Sequence, residues 1–187
     1  NDDQGESCET MALLESLSSL STLPEMLSFV ADNTSVYRNQ YSRLYAYVED
    51  FIQRNLLSDG IEEDSVYNLA NSQQWSSSLR HCVSEISQKK WYPDRNKIIS
   101  LGIHLNMDVE QINKMLELAQ MEELCAKNPF ENAIIYALEN AKLEDIIYTD
   151  GTDSLCRYVR NVLESLDYSG VDFFMDELPE NYDDEIF

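Results

Sequence analysis

The sequence predicts an all-α protein, a multi-helix bundle, and three observations lead to this fold class. Apolar residues recur at three- and four-residue spacings, the period of a helix with one buried face, rather than at every second position. Only 5 Gly and 4 Pro occur, so breaks between helices are few. A chain of 187 residues with 43% hydrophobic content can bury a core of ordinary size.

The first helices are expected in an N-terminal hairpin within residues 1–36. Leu13, Leu17 and Leu20 fit one apolar stripe, and a second stripe over residues 23–30 has Pro24 at its first helical position. The stretch SVYRNQYSRLYAYVEDFIQRNLL follows and predicts one long helix that ends near Gly60. We interpret its tyrosines as core residues, since aromatics at helical spacing beside aliphatics usually pack inside.

From residue 62 onward the pattern changes to short helices. EEDSVYNLANS predicts one, SSSLRHCVSEISQ a second that the serines cap, and DRNKIISLGIHLN a third after Pro93. Asp108 and Gln111 have capping-box spacing and begin the next helix, over DVEQINKMLELA. NPFE then predicts another helix start with Asn128 as cap, and Thr152 or Asp153 is expected to cap a final helix that reaches Leu166.

Charge is distributed unevenly along the chain. The net charge is −22, and residues 1–36 carry seven acids and residues 167–187 eight, both without Lys or Arg. Residues 75–97 are the exception, with five bases against two acids. Most of the molecule should therefore repel DNA, so any DNA contact must be confined to one small basic face. The acidity itself favours either a solvated surface or an acidic arm that covers a basic one.

Several kinds of function are disfavoured by what the sequence lacks. The four cysteines lie far apart without C-x-x-C spacing or paired histidines, so we expect reduced thiols in a cytoplasmic protein, with no metal and no cofactor. No apolar run is long enough to span a membrane, and no membrane partner is expected. Neither a nucleophile motif nor a glycine-rich phosphate loop is present, which predicts that the protein is not an enzyme.

The block SSSLRHCVSEISQKKWYPDRNKIISLGIHLNMDVEQINKMLELAQ resembles lambda-repressor-like DNA-binding domains of the Cro and Xre type. In that family a recognition helix is followed by a short basic turn, a Pro and two further helices. The resemblance implies a helix-turn-helix core with N- and C-terminal helical extensions. Residues 128–148 resemble the helical extension that some members carry.

The helical pattern, the charge distribution and this resemblance together predict four regions in the chain. They are an acidic N-terminal hairpin (1–36), a helix-turn-helix-like domain (37–122), a C-terminal helical extension (123–166) and an acidic aromatic tail (167–187). The function implied is that of a transcriptional regulator that binds DNA, weakly or only as a dimer, with the outer helices supplying oligomerisation.

The DNA-binding residues are expected on the recognition helix and the basic turn after it. Hydroxyl and cationic side chains there are suited to phosphate oxygens, and those near the helix start are suited to base edges. The predicted set is Ser76, Ser77, Ser78, Arg80, His81, Lys89, Lys90, Arg95 and Lys97. The alternative is that the same residues form a solvated surface that is partly salt-bridged.

A second hypothesis is a protein-interaction module that kept the fold and lost DNA binding, as an adaptor, an antitoxin-like protein or a DNA mimic. The turn before the recognition helix, LANSQQWSSSL, lacks the glycine usual in the family and contains the bulky Trp75. The tail alternates acids with apolar anchors that suit the groove of a basic partner. The predicted anchors are Phe173, Phe174, Met175, Leu178, Tyr182 and Phe187.

Overall fold

A computed structural model describes residues 3–56, 76–143 and 154–166, and every regular element in these ranges is an α-helix. The predicted all-α, multi-helix class is therefore confirmed for this part of the chain. Nine helices occur there: α1 (Asp3–Ser18), α2 (Leu23–Asp32), α3 (Thr34–Asn39), α4 (Ser42–Leu56), α5 (Ser77–Ser87), α6 (Arg95–His104), α7 (Val109–Leu118), α8 (Pro129–Leu143) and α9 (Ser154–Glu164).

Several predictions fall outside the described residues. They are the helix over EEDSVYNLANS, the turn with Trp75, the end of the long helix near Gly60, the cap at Thr152 or Asp153, and the whole tail. The described chain divides into two compact units, residues 1–40 and residues 41–187. We call them the N-terminal unit and the body.

The N-terminal unit consists of α1, α2 and α3. Helix α2 begins with a capping box: the Thr22 hydroxyl accepts a bond from the Glu25 backbone N–H, and the Glu25 carboxylate accepts one from the Thr22 N–H. Pro24 lies at the start of this helix, as predicted. Among the side chains described between residues 10 and 40, none is buried.

The prediction of one long helix after residue 35 is wrong. The structure has two helices instead, α3 and α4, separated by a turn at Gln40 and Tyr41. Asn39 and Ser42, which flank the turn, are among the weaker helix formers, so little local preference carries the helix through this point. The boundary between the two units falls at the same turn.

The body contains the hydrophobic core. Helix α8 packs mainly against α9, α6 packs against α7, and α4 also packs against α7. Tyr45 is buried and Tyr41 and Tyr47 are partly buried against the core, which confirms the core interpretation for these three tyrosines. The fourth, Tyr37, is half-buried in the N-terminal unit and does not belong to this core. The largest fully buried side chains are Tyr45, Leu44, Leu79, Ile86, Ile98, Ile99, Leu101, Ile103, Met107, Ile112 and Met115.

Caps define the starts of the body helices. The predicted Asp108–Gln111 capping box is confirmed, with both reciprocal bonds at 2.9 Å. The predicted cap at Asn128 is also confirmed, because its Oδ1 accepts from the backbone N–H groups of Phe130 and Glu131. Asp94 is the N-cap of α6, and its carboxylate accepts from the Lys97 N–H at 3.0 Å.

Helices α5, α6 and α7 end in the same way. The residue after each C-cap takes a left-handed conformation: Lys89 at φ 56°, Asn106 at φ 56° and Gln120 at φ 59°. Around Lys89, its N–H donates to the Ile86 carbonyl and the Lys90 N–H donates to the Glu85 carbonyl, the bond pattern of a Schellman motif. Glycine is the usual residue at this position, and here larger side chains occupy it three times.

Glycine is required where α6 crosses α7. A Cβ added at Gly102 would lie 2.5 Å from Ile112 Cγ1 and 3.0 Å from Met115 Cε, closer than side-chain atoms normally approach. The missing side chain therefore lets the two helices approach closely.

Two cysteines of the described residues are buried in the fold, and these residues do not meet the requirements for a membrane-spanning helix or for a metal site of three ligands. Cys82 and Cys156 are buried thiols, and Cys125 is exposed. In the ranges given above, no helix is long and apolar enough to cross a membrane, and no three His, Cys, Asp or Glu residues are grouped to hold a metal ion.

Candidate nucleic-acid interface

Helix α5, which the resemblance assigns as the recognition helix, has two distinct faces. Leu79, Cys82, Val83 and Ile86 are buried in the core of the body. Ser77, Ser78, Arg80 and His81, all predicted to bind DNA, are exposed. These four side chains follow the helical period on the arc away from the buried face, so α5 presents hydroxyl and basic groups to solvent.

Two of the predicted residues contact each other across helices. The Lys97 ammonium, in the first turn of α6, donates to the Ser78 hydroxyl at the start of α5. Ser76 is the N-cap of α5, and its hydroxyl accepts from the Leu79 N–H at 3.1 Å, as the predicted serine cap requires. The starts of α5 and α6 therefore form one polar surface that carries a positive charge.

The basic side chains of α5 and of the turn after it differ in their partners. Arg80 and Lys89 form no ion pair with any acid that the structure describes, and both are exposed. The Lys90 ammonium donates to Gln88 Oε1 at 3.2 Å, a neutral partner. His81 Nε2 lies 3.4 Å from Glu85 Oε1 on the same helix. Among the residues that the structure describes, Arg80, Lys89 and Lys90 therefore carry exposed positive charges without an acidic partner.

The basic turn is held to the core despite its exposed lysines. Trp91 is 3% exposed, and its carbonyl accepts a hydrogen bond from the hydroxyl of Tyr45 on α4. Tyr92 is 59% exposed and meets Tyr41 edge-to-face, with ring centroids 6.3 Å apart. These contacts and the Schellman motif at Lys89 fix where the two lysines are presented.

Arg95 donates four hydrogen bonds within the protein. Its Nε lies 2.5 Å from Glu131 Oε1 and its Nη2 lies 2.9 Å from Glu131 Oε2. The guanidinium also donates to the carbonyls of Glu122 and Glu123, at 2.6 and 2.8 Å. Four of its five N–H groups are used in this way. We call this cluster, Arg95 with Glu131, the clamp, and it connects α6, α8 and the segment between α7 and α8.

The clamp shifts the pKa values of Arg95 and Glu131 so that the charged form of each residue is favoured. Burial raises the pKa of Glu131, but hydrogen bonds from Arg95 and from the Cys125 N–H outweigh it, so the pKa lies below its ordinary value of 4.5. The hydrogen bonds with Glu131 raise the pKa of Arg95 above its usual range. The Glu131 side chain is only 6% exposed, so its charge depends on these donors.

Two contributors to this surface were not identified from the sequence. Glu131 was read only as part of a helix start, because 36 positions separate it from Arg95 and no local pattern links them. Tyr45 was expected in the core, but its bond to the Trp91 carbonyl spans 46 positions. The predicted tail anchors lie outside the described residues.

Comparisons with models of protein families, with curated proteins and with solved structures found no match for the chain. The chemical interpretation of the α5 surface therefore rests on the residues described above.

Proposed function

We propose that the protein is a helix-turn-helix-type regulator that binds DNA through the exposed face of α5 and the basic turn after it. The observation that carries the proposal is that Arg80, Lys89 and Lys90 are exposed and have no described acidic partner in a chain of net charge −22. Cations that have no acidic partner among the described residues raise the local positive potential and add to the affinity for an anion.

The spacing of these charges suits a nucleic-acid backbone. Arg80 lies in the first turn of α5 and Lys89 lies two residues after its last residue, Ser87, so the two cations lie toward opposite ends of the helix. Ser77 and His81 are exposed on the same side of α5 as Arg80 and offer donors to base edges or phosphates. Among the described residues, α5 is followed by α6 and α7, and the proposal takes these as the recognition helix and the two further helices that the resemblance implies.

Arg95 is assigned a different role in this proposal. Its guanidinium is directed at Glu131 and two carbonyls, so it positions the basic turn and the start of α6 rather than contacting phosphate. The DNA-contacting cations are then Arg80, Lys89, Lys90 and Lys97. Displacing counterions from three or four phosphates predicts a slope of about −3 in log affinity against log salt.

The test is a fluorescence-anisotropy titration of mixed-sequence duplex DNA at several salt concentrations. The variant K89E/K90E should bind at least tenfold more weakly than the parent chain at every sequence, with a flatter salt dependence. The matched control is K127E/K142E, which changes the net charge equally at two exposed lysines outside this surface. Equal losses in both variants would mean that only bulk charge matters, and no loss in K89E/K90E would contradict the proposal.

A second candidate function is a protein-interaction module, which the acidic tail favours. Its eight acids without a base, interspersed with aromatic and aliphatic residues, suit a basic and apolar groove. A chain ending at Leu166 separates the two functions. Tighter DNA binding by the shortened chain would make the tail an inhibitor of the α5 surface. Failure of both chains to bind DNA while folded would favour the interaction module.

A further inference from the structure

Tyr92 is an exposed aromatic side chain at the basic turn between α5 and α6. It is 59% exposed, and the other exposed tyrosine in the described part of the body, Tyr136, lies on α8. Exposure alternates along the turn: Lys90 is exposed, Trp91 is buried and Tyr92 is exposed. Because consecutive side chains of extended backbone point to opposite sides, this alternation places Lys90 and Tyr92 on the same outward side.

The protein holds the Tyr92 ring in place. Pro93 follows Tyr92 and restricts its backbone to extended conformations. Tyr41 on α4 meets the ring edge-to-face, with an angle of 81° between the two ring planes. The Tyr45 hydroxyl bonds to the carbonyl of the preceding residue, Trp91. The contact with Tyr41 uses at most one face of the Tyr92 ring, so the other face is left for a further aromatic group at little cost in conformational entropy.

The charges beside the ring favour an anionic ligand. Lys89 and Lys90 are exposed and have no acidic partner among the described residues. Asp94 is the acid nearest to them in the sequence after the turn, and its carboxylate caps α6 by accepting from the Lys97 N–H. Two residues of extended chain span roughly 7 Å, so the Lys90 ammonium and the Tyr92 ring are within reach of one small ligand. A nucleotide joins the two groups that such a pair would bind, an aromatic base and a phosphate.

The geometry of stacking restricts the kind of nucleic acid. Within an intact duplex, neighbouring base pairs cover both faces of each base. A ring on a protein surface can therefore stack only on a base that is unpaired or lies at an end. Such stacking tolerates any sequence, because every base has a π-face.

We propose that Tyr92 and Lys90 form a subsite for one unpaired nucleotide, in which the base stacks on the Tyr92 ring and the phosphate contacts the Lys90 ammonium. This inference rests on the proposed function, because it names the class of DNA that the α5 surface binds: a duplex continued by a single-stranded segment. The phosphate contacts of Arg80 and Lys89 weaken as salt rises, whereas the stacking of an uncharged base does not depend on screening.

Fluorescence-anisotropy titrations with two DNAs of equal phosphate number test the subsite. One is a duplex with a short thymidine overhang, and the other is the same duplex with an overhang of abasic residues. The parent chain should bind the thymidine form at least about fivefold more tightly, the low end for stacking of one base on an aromatic side chain. This ratio should persist when NaCl is raised. The variant Y92L should abolish the preference, and Y92F, which keeps the ring, should retain it.

The matched control is Y136L, which changes a tyrosine of similar exposure, 56%, on α8 and should retain the preference. A parent chain that binds both DNAs equally overturns the subsite and leaves the proposed function standing. So does a Y92L variant that keeps the preference. If Y92L weakens binding of the abasic form as much as that of the thymidine form, Tyr92 has only a structural role, and the subsite is again overturned. A parent chain that binds neither DNA overturns the proposed function together with this inference.

Discussion

Helices α2 and α7 begin with the same kind of cap but differ in whether their apolar side chains are buried. Each has 10 residues and each starts with a capping box, Thr22 with Glu25 in α2 and Asp108 with Gln111 in α7. Helix α7 buries Ile112, Met115 and Leu116, whereas α2 buries no residue. Local signals thus determine that both segments are helical, and the presence of a partner determines whether the apolar side becomes core.

The largest effect is expected where the body depends on a buried ion pair. Arg95→Met leaves the Glu131 carboxylate buried without its guanidinium, and we expect a loss of about 3 kcal/mol in the free energy of unfolding. Urea denaturation at neutral pH measures this. The double variant R95M/E131Q removes the stranded charge and keeps an acceptor for the Cys125 N–H, so it should recover more than half of the loss.

The same variant gives a pH signature. Because the pKa of Glu131 is lowered in the folded protein, its stabilising contribution is complete above the ordinary value of 4.5 and is lost as the pH falls through the folded pKa. The difference in stability between the parent chain and R95M should therefore shrink in acid. A difference that is independent of pH would show that packing, rather than the ion pair, accounts for the loss.

A smaller loss is expected at the crossing of α6 and α7. Gly102→Ala forces Ile112 to move, and overpacking of this kind costs about 1–3 kcal/mol, of which the better helix propensity of alanine offsets about 1 kcal/mol. The net destabilisation should be about 0–2 kcal/mol, measured by thermal and urea unfolding. In an Ile112→Ala background the same substitution should cost less, because the obstructing side chain is gone. Equal costs in both backgrounds would contradict the packing explanation.

The smallest effects are expected at the left-handed helix ends, and they should be stabilising. Lys89→Gly and Gln120→Gly relieve the steric cost of φ near 56–59°, and each should add about 0.5–1 kcal/mol of stability. Asn106→Gly should add less, because asparagine tolerates this conformation better. Lys89→Gly should also weaken DNA binding, because it removes a positive charge. Gln120→Gly should leave DNA binding unchanged, because it changes only the strain of the backbone.

The sequence alone predicted the structural features that depend on residues three or four positions apart. The caps at Asp108 and Asn128 and the buried faces of α5 and α7 follow from spacings of three and four positions. The clamp could not be predicted, because Arg95 was classed with the lysines as a basic residue and its partner lies 36 positions away. The turn at Gln40 was missed since the apolar period continues through it.

The candidate site was predictable to a similar extent. The exposure of Ser77, Ser78, Arg80 and His81 follows from the helical period of α5, once the apolar face is identified. The contact between Lys97 and Ser78 depends on how α6 packs beside α5, which no local pattern specifies. Likewise, the apolar stripe of α2 predicted a helix and gave no indication that its side chains would remain exposed.

The contrast between the two regions is tested most directly by native-state hydrogen exchange of the 187-residue chain at low micromolar protein. Amides of α7 should be strongly protected, since the body has its own core. Amides of α2 should exchange rapidly, since this helix buries no residue. Protection of α2 equal to that of α7 would contradict the distinction between the body, which has its own core, and the N-terminal unit.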